Sequence, residues 1–219
     1  MNVAIDGPAG AGKSTIARQV SDELGYIYVD TGALYRGVAH HMLSLGYGDG
    51  DEEAIAEKAG RVKADVRYVG SAQHVFINDE DVTAFLRTEE TGNMASIVAR
   101  IPRVRETLLD TQRRLAAEND VVMDGRDIGT CVLPYAEAKI YLTASADVRA
   151  KRRYDELTAK GEAPDYEMIR QTIIDRDERD MNREIAPLRQ AEDAVLVDSS
   201  DMTIDEVKDR IIEIVRAAL

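Results

Sequence analysis

Gly7-Pro8-Ala9-Gly10-Ala11-Gly12-Lys13-Ser14-Thr15 follows the short apolar run Val3-Ala4-Ile5-Asp6 and leads into Ile16-Ala17-Arg18-Gln19-Val20. It fits the spacing G-x-x-x-x-G-K-[ST], with Gly7, Gly12, Lys13 and Ser14 at the fixed places. The chemistry calls for this pattern. Several backbone N–H groups must converge on phosphate oxygens, and glycines permit the close approach and the unusual dihedral angles. Lys13 is placed to reach the β- and γ-phosphates, and the Ser14 hydroxyl to ligate a magnesium ion. Residues 16–24 read as an amphipathic helix whose positive N-terminal end faces the anion. The plain alternative is a Gly/Ala-rich turn that binds nothing, but a strand before it and a helix after it argue against that. The stretch therefore predicts a nucleoside triphosphate site.

The chain has 219 residues, enough for one large domain or a core with small insertions. Its net charge of −13 disfavours general nucleic-acid binding, which relies on a basic surface. Small phosphates are still accommodated if the basic residues gather locally. Cys131 is the single cysteine, so neither an internal disulfide nor a four-sulfur zinc site is available. His40, His41 and His74 lack metal-ligand spacing with one another or with Cys131. Cys131 itself reads as a small packed side chain. The sequence opens on a strand rather than a signal-peptide pattern, and its apolar runs fall short of the roughly 18 residues of a membrane span. A cytoplasmic protein is expected.

Working outward from the loop, a second strand is expected at Tyr26-Ile27-Tyr28-Val29, apolar enough to be buried on both faces. Thr31 reads as the N-cap of a helix running to about Leu45. A short acidic helix follows over 51–59, and then the texture changes. Residues 62–69 and 74–77 are β-rich around a Gly70-Ser71 turn; Asn78-Asp79-Glu80-Asp81 reads as a second turn and Val82-Thr83 as the start of a third short strand. Helices resume near Glu89 and at Pro102. Further core strands are expected at 121–124, 138–142 and 194–198, with helices over 147–160 and 165–183 and a terminal helix capped by Thr203. Ile204, Val207, Ile211, Ile214 and Val215 form the apolar stripe of that helix. This alternation predicts an α/β fold of the P-loop nucleotide-binding type. It is a doubly wound five-stranded parallel sheet with helices on both faces, interrupted by a small antiparallel β-rich insertion. The core is expected over 1–38 and 84–219, and the insertion over about 39–83, extending to about 100.

Three further clusters fall at carboxyl ends of strands or late in a helix, where open α/β sheets hold ligands. They are Asp30-Thr31-Gly32-Ala33-Leu34-Tyr35-Arg36, Asp124-Gly125-Arg126-Asp127, and the run Arg176–Arg183. Arg176, Asp180 and Arg183 stand at i, i+4 and i+7, on one helical face. Two guanidinium groups oriented by an interposed carboxylate suit a bidentate phosphate clamp. On composition alone, however, a charge run on a helix faces solvent. Arg126 and Asp127 could equally pair with each other at the turn. Phosphoryl transfer needs mainly positioning and positive charge, and these are the parts supplied. The protein-kinase signature set is missing.

Taken together, the loop, the tract 30–36, Pro102-Arg103-Val104-Arg105, Asp124-Gly125-Arg126-Asp127-Ile128-Gly129-Thr130, and Arg176–Arg183 followed by Ala186-Pro187-Leu188 resemble the bacterial cytidylate kinases. These are a family of nucleoside monophosphate kinases. The likeness runs nearly end to end and includes the β-rich insertion, which resembles the family's enlarged monophosphate-binding domain. It implies ATP-dependent phosphorylation of CMP, and of dCMP, with Mg2+. Gly7, Pro8, Ala9, Gly10, Ala11, Gly12, Lys13, Ser14 and Thr15 would hold ATP, with Arg152 and Arg153 supplying cations from a short helical lid over about 151–165. Ser14 would reach the metal, mostly through ATP phosphates and water. Thr31, Arg36, Ser96, Arg105, Arg126 and Asp127 match positions that hold CMP. Of these, Arg36 and Arg126 are expected on the α-phosphate, and Ser96, Arg105 and Asp127 on the cytosine or its sugar. Arg176, Asp180 and Arg183 match positions by the lid and the sugar-phosphate site, with Asp180 on the sugar. Lys13, Arg126, Arg176 and Arg183 would be the catalytic cations. Thr31 stands where some members carry Ser, which keeps the hydroxyl. A monomer without nucleic-acid or membrane partners is expected.

The base chemistry agrees. Cytosine presents an exocyclic amino donor beside acceptors at N3 and O2, so a carboxylate such as Asp127 accepts while Arg105 and Ser96 donate. Uracil reverses the pattern at O4 and N3, leaving a buried carboxylate unpaired.

Overall fold

A computed structural model of the protein describes residues 1–70 and 72–219. Ser71, half of the expected Gly70-Ser71 turn, lies outside the described residues. The chain divides into two compact units, Met1–Tyr26 with Val122–Leu219, and Ile27–Val121. A five-stranded parallel sheet has the strand order β2-β6-β1-β7-β8. Its members are β1 (Asn2–Asp6), β2 (Ile27–Asp30), β6 (Val121–Gly125), β7 (Ala138–Thr143) and β8 (Val195–Asp198). The remaining strands, β3 (Ala64–Val69), β4 (Ala72–Ile77) and β5 (Glu80–Asp81), form a separate antiparallel sheet.

In the first unit, β1 pairs with β7 in parallel, Ile5 opposite Ile140, and β7 pairs with β8, Leu142 opposite Val197. Val3, Ala4 and Ile5, Val122 and Met123, and Ala138, Ile140 and Leu142 are all buried. Such near-continuous apolar runs belong to parallel strands covered on both faces. The helices of this unit are α1 (Lys13–Leu24), α6 (Ala146–Ala159), α7 (Tyr166–Asn182) and α8 (Ile204–Ala217). On α8, Val207, Ile211, Ile212 and Val215 are buried while Ile204 is 54% exposed, so the apolar face sits slightly off the expected stripe. Thr203 caps α8 in a complete capping box with Glu206. Asp165, rather than being the first helical residue, caps α7 by accepting from the Met168 N–H at 3.0 Å.

The second unit contains α2 (Thr31–Ser44), α3 (Glu52–Ala59), α4 (Glu89–Val98) and α5 (Pro102–Glu118), with α2 packed on α4 and β4. The third strand begins earlier than the sequence suggests. Asn78 and Asp79 take φ of 51° and 68°, so the turn is complete in two residues and pairing resumes at Glu80. The Val75 N–H then donates to the Thr83 hydroxyl at 2.9 Å, and Thr83–Phe85 form a 3-10 turn instead of extending the strand. Among the described residues, no helix is long and apolar enough to cross a membrane.

Candidate active site

β1 ends at Asp6, and the chain turns at once into the glycine-rich loop. Gly7, Gly10 and Gly12 have φ of 150°, 76° and 88°. At Gly7 the requirement is absolute, because a Cβ there would lie 1.9 Å from the Leu142 carbonyl oxygen. α1 then starts with Gly12 as N-cap, without a side-chain cap and without an acidic residue in its first turn. The open N–H groups and the helix dipole are thus offered to an anion. Lys13 is buried, and its Nζ donates to the Pro8 carbonyl at 2.7 Å. Burial, and then the Arg126 guanidinium, push its ammonium well below the ordinary value, against the pull of Asp124 and Asp6. Phosphate charge would reverse that balance. The Ser14 hydroxyl donates to Asp124 Oδ2 at 2.9 Å, tying the helix start to the end of β6.

After β6 the tract Gly125-Arg126-Asp127 opens into a π-helical turn over Ile128–Val132. Asp6 holds this turn. Its two carboxylate oxygens accept from the Ile128 and Gly129 N–H groups at 2.8 and 2.7 Å. Burial outweighs those two bonds and raises Asp6 to about 6.

Arg126 and Asp127 do not pair with each other as local proximity allows. The Arg126 Nε donates to Asp180 Oδ2 at 2.9 Å, and the Arg183 Nη2 donates to Asp127 Oδ1 at 3.2 Å. Two neighbouring residues at the end of β6 are therefore matched to two residues, three apart, at the end of α7. Asp127 and Arg183 are buried side chains, 7% and 8% exposed. A turn in which Ala186 has φ of 48° folds back so that the Arg183 Nε donates to the Ala186 carbonyl. Burial opposes ionisation of Asp180, but Arg126, with Arg176 and Arg183, holds its carboxyl below the usual range. Arg176, one turn earlier on α7, acts on both Asp180 and Lys13 through its charge. The expected face of Arg176, Asp180 and Arg183 is thus turned inward rather than to solvent.

Arg152 and Arg153 lie in the middle of α6. Arg152 donates to the Ser199 carbonyl at 2.7 Å, and Arg153 pairs with Glu156 at 2.8 Å. Arg149, one turn earlier, is 4% exposed and belongs to none of the sequence motifs. Its signal was a cation in the first turn of a helix, where the dipole disfavours positive charge, so a specific partner was needed. In the sequence Asp6 reads simply as the end of an apolar strand.

In the second unit the tract 30–36 is organised around Asp30. Asp30 rather than Thr31 caps α2, accepting from the Ala33 N–H at 2.8 Å, and Thr31 becomes the first, buried helical residue. Either side chain can cap, and Asp30 can also pair with Arg36 at 2.9 Å. Gln73 on β4 holds the backbone of Asp30 twice, accepting from its N–H at 2.8 Å and donating to its carbonyl at 3.1 Å. The Arg36 Nε is a buried donor without a partner among the described residues. Ser96 lies half-buried on α4, and Arg105 on α5 stands with its guanidinium carbon 5.7 Å from the Tyr35 ring centre.

A sequence profile described as cytidylate kinase matches residues 3–217. A cytidylate kinase of an Exiguobacterium species is 47% identical over 220 residues, covering 99% of this chain and 98% of that protein. The cytidylate kinase of Bacillus subtilis is 46% identical, covering 98% and 96%. Among solved structures, an uncharacterised protein from Eubacterium ventriosum aligns over 99% of this chain and 98% of its own, with a TM-score of 0.56 at 12% identity. That likeness concerns the fold alone. With a profile match over nearly its whole length and relatives at this identity, the chain belongs to the cytidylate kinase family.

Proposed function

We propose that this chain transfers the γ-phosphoryl group of ATP to CMP, and also to dCMP, by direct in-line displacement. The observation that carries the reading is the crossed set of Arg126–Asp180 and Asp127–Arg183 pairs in the same unit as the phosphate loop. A bare ATPase has no use for a buried carboxylate and three arginines gathered beside its triphosphate loop. The family relatives named cytidylate kinase support the acceptor.

The loop amides of residues 7–15 and Lys13 take the β- and γ-phosphates. Ser14 and Asp124 present hard oxygens side by side, 2.9 Å apart, which fits a magnesium ion, and these two would hold it through ATP phosphates and water. Magnesium supplies charge neutralisation on the transferring group when bound. Arg36 and Arg126 hold the CMP α-phosphate; the unpartnered buried Nε of Arg36 supports this role, since a buried donor calls for an acceptor. Asp127 accepts the cytosine amino group, with Ser96 and Arg105 donating to N3 or O2, and Thr31 completes the acceptor site. Asp180 receives the sugar, while Arg176 and Arg183 spread the charge of the transferred group. The acceptor phosphate is already an anion near neutral pH, so a dedicated general base is unnecessary. Arg152 and Arg153 join the ATP side when the short lid over about 151–165 moves; in the present arrangement they face Ser199 and Glu156. Closing the lid and the inserted domain, 39–83 extending to about 100, keeps water from the phosphoryl group. The enzyme acts as a monomer in the cytoplasm, without nucleic acid, in keeping with its charge of −13.

The test is product identity. Incubation with ATP, magnesium and CMP should give CDP and ADP in equal amounts, resolved by anion-exchange chromatography. ADP with inorganic phosphate and no CDP would refute the transfer.

A further inference from the structure

Arg149 sits at the first turn of α6 with its guanidinium enclosed by three separate segments. The Nε donates to the Ala144 carbonyl just after β7 at 2.9 Å. The Nη1 donates to the Ala9 carbonyl inside the phosphate loop at 2.9 Å and to Asp177 Oδ1 at 3.1 Å, and the Nη2 to Asp177 Oδ2 at 2.5 Å. Asp177 is the one buried residue of α7.

A buried Arg–Asp pair adds little stability over a well-packed apolar pair, because both charges must leave water. What distinguishes this pair is the third partner. The Ala9–Gly10 peptide is trans, so its carbonyl and the Gly10 N–H point to opposite sides. Holding the Ala9 oxygen against Arg149 turns the Gly10 N–H away from Arg149, as a loop that gathers N–H groups onto phosphate requires. The aliphatic stem of Arg149 also backs Gly10: a Cβ on Gly10, whose φ is 76°, would stand 3.5 Å from the Arg149 Cβ. Asp177, in turn, fixes the guanidinium plane through a bidentate contact.

We propose that Arg149, oriented by Asp177, is a positioning residue that sets the Ala9–Gly10 peptide for ATP binding and couples α7 to the phosphate loop. The inference rests on the reading of residues 7–15 as the ATP loop. It touches no substrate atom, and its effect falls on the ATP side of the reaction rather than on CMP.

The test compares Arg149→Met, Arg149→Lys and Asp177→Asn with wild type. For each, Mg-ATP affinity is measured by calorimetry, KM for ATP and for CMP and kcat by coupled assay, and folding by thermal melting. Arg149→Met should weaken ATP binding and raise its KM about ten-fold or more, the scale of a lost charge-assisted contact, with KM for CMP changed less than three-fold. Asp177→Asn should show the same split with a smaller rise, about three- to ten-fold. Arg149→Lys, which keeps the charge but not the fork, should recover only part of the loss. If Arg149→Met fails to fold, the other two variants decide by the same split. ATP affinity within two-fold of wild type in folded Asp177→Asn, or equal losses for ATP and CMP, would overturn the proposal. Wild-type protein that binds ATP but makes no CDP would refute the kinase reading, and the calorimetry would still decide this one.

Discussion

Asp127 precedes the turn after β6 and Asp6 holds the backbone of that turn, and each carboxylate has a separate role. Asp127 is buried and accepts from Arg183, so its carboxylate is held in place, as its proposed role on the base requires. Asp127→Ala should lower kcat/KM for CMP by about two orders of magnitude while affecting UMP less, as expected where a hydrogen-bonding site loses its partner. The CMP-to-UMP ratio of kcat/KM is the readout, and an unchanged ratio would remove Asp127 from base selection. Asp6 acts through the backbone, holding the Ile128 and Gly129 N–H groups. Its carboxyl is raised from 3.8 to about 6, chiefly by burial. Between those values the folded chain keeps a proton that the unfolded chain has released, so this group's contribution to stability falls as pH rises through the window. Asp6→Asn loses one acceptor and sets an amide NH2 against a backbone N–H, at a cost of about 1–3 kcal/mol. Denaturant melts should show that deficit larger at pH 4 than at pH 6.5; a deficit that grows with pH would contradict the raised carboxyl.

The order of strands and helices was readable because periodicity and turn chemistry are local. The glycine loop between β1 and α1, the β-rich texture of residues 62–83 and the cap at Thr203 all announce themselves within a few residues. Boundaries shifted where two residues could do the same job, as Asp30 and Thr31 can at the start of α2. The π-helical turn over Ile128–Val132 was not readable, because its reason lies 122 residues away in the Asp6 carboxylate. The same holds for Arg126 with Asp180 and Arg149 with Asp177, separated by 54 and 28 residues. Sequence pattern names the charged residues but not which of several carboxylates each one meets. The cap on α8 offers a clean control at this scale, since it lies in none of these pairs. Thr203→Ala should cost about 1 kcal/mol. For a chain of this size that is a fall in Tm of about 2–4 °C, with kcat unchanged.

Across the whole chain, 41 acidic residues outnumber 28 basic ones, yet Arg126, Arg149, Arg176 and Arg183 are gathered on the strand ends and helices that flank one loop. In the proposed reading the acidic total and the local cluster have different jobs: a net negative surface disfavours polyanions, and the gathered arginines suit small phosphates. On the same reading the phosphate loop specifies a triphosphate, the Arg149–Asp177 pair positions that loop, and the arginines matched to Asp127 and Asp180 specify an acceptor beside it. Initial rates of ADP release from Mg-ATP with CMP, dCMP, UMP or AMP, each set against an acceptor-free control, test that claim most directly. CMP and dCMP should give the highest kcat/KM, with UMP well below them and the control near zero. ADP release that is the same with and without CMP, or fastest with AMP, would contradict the account.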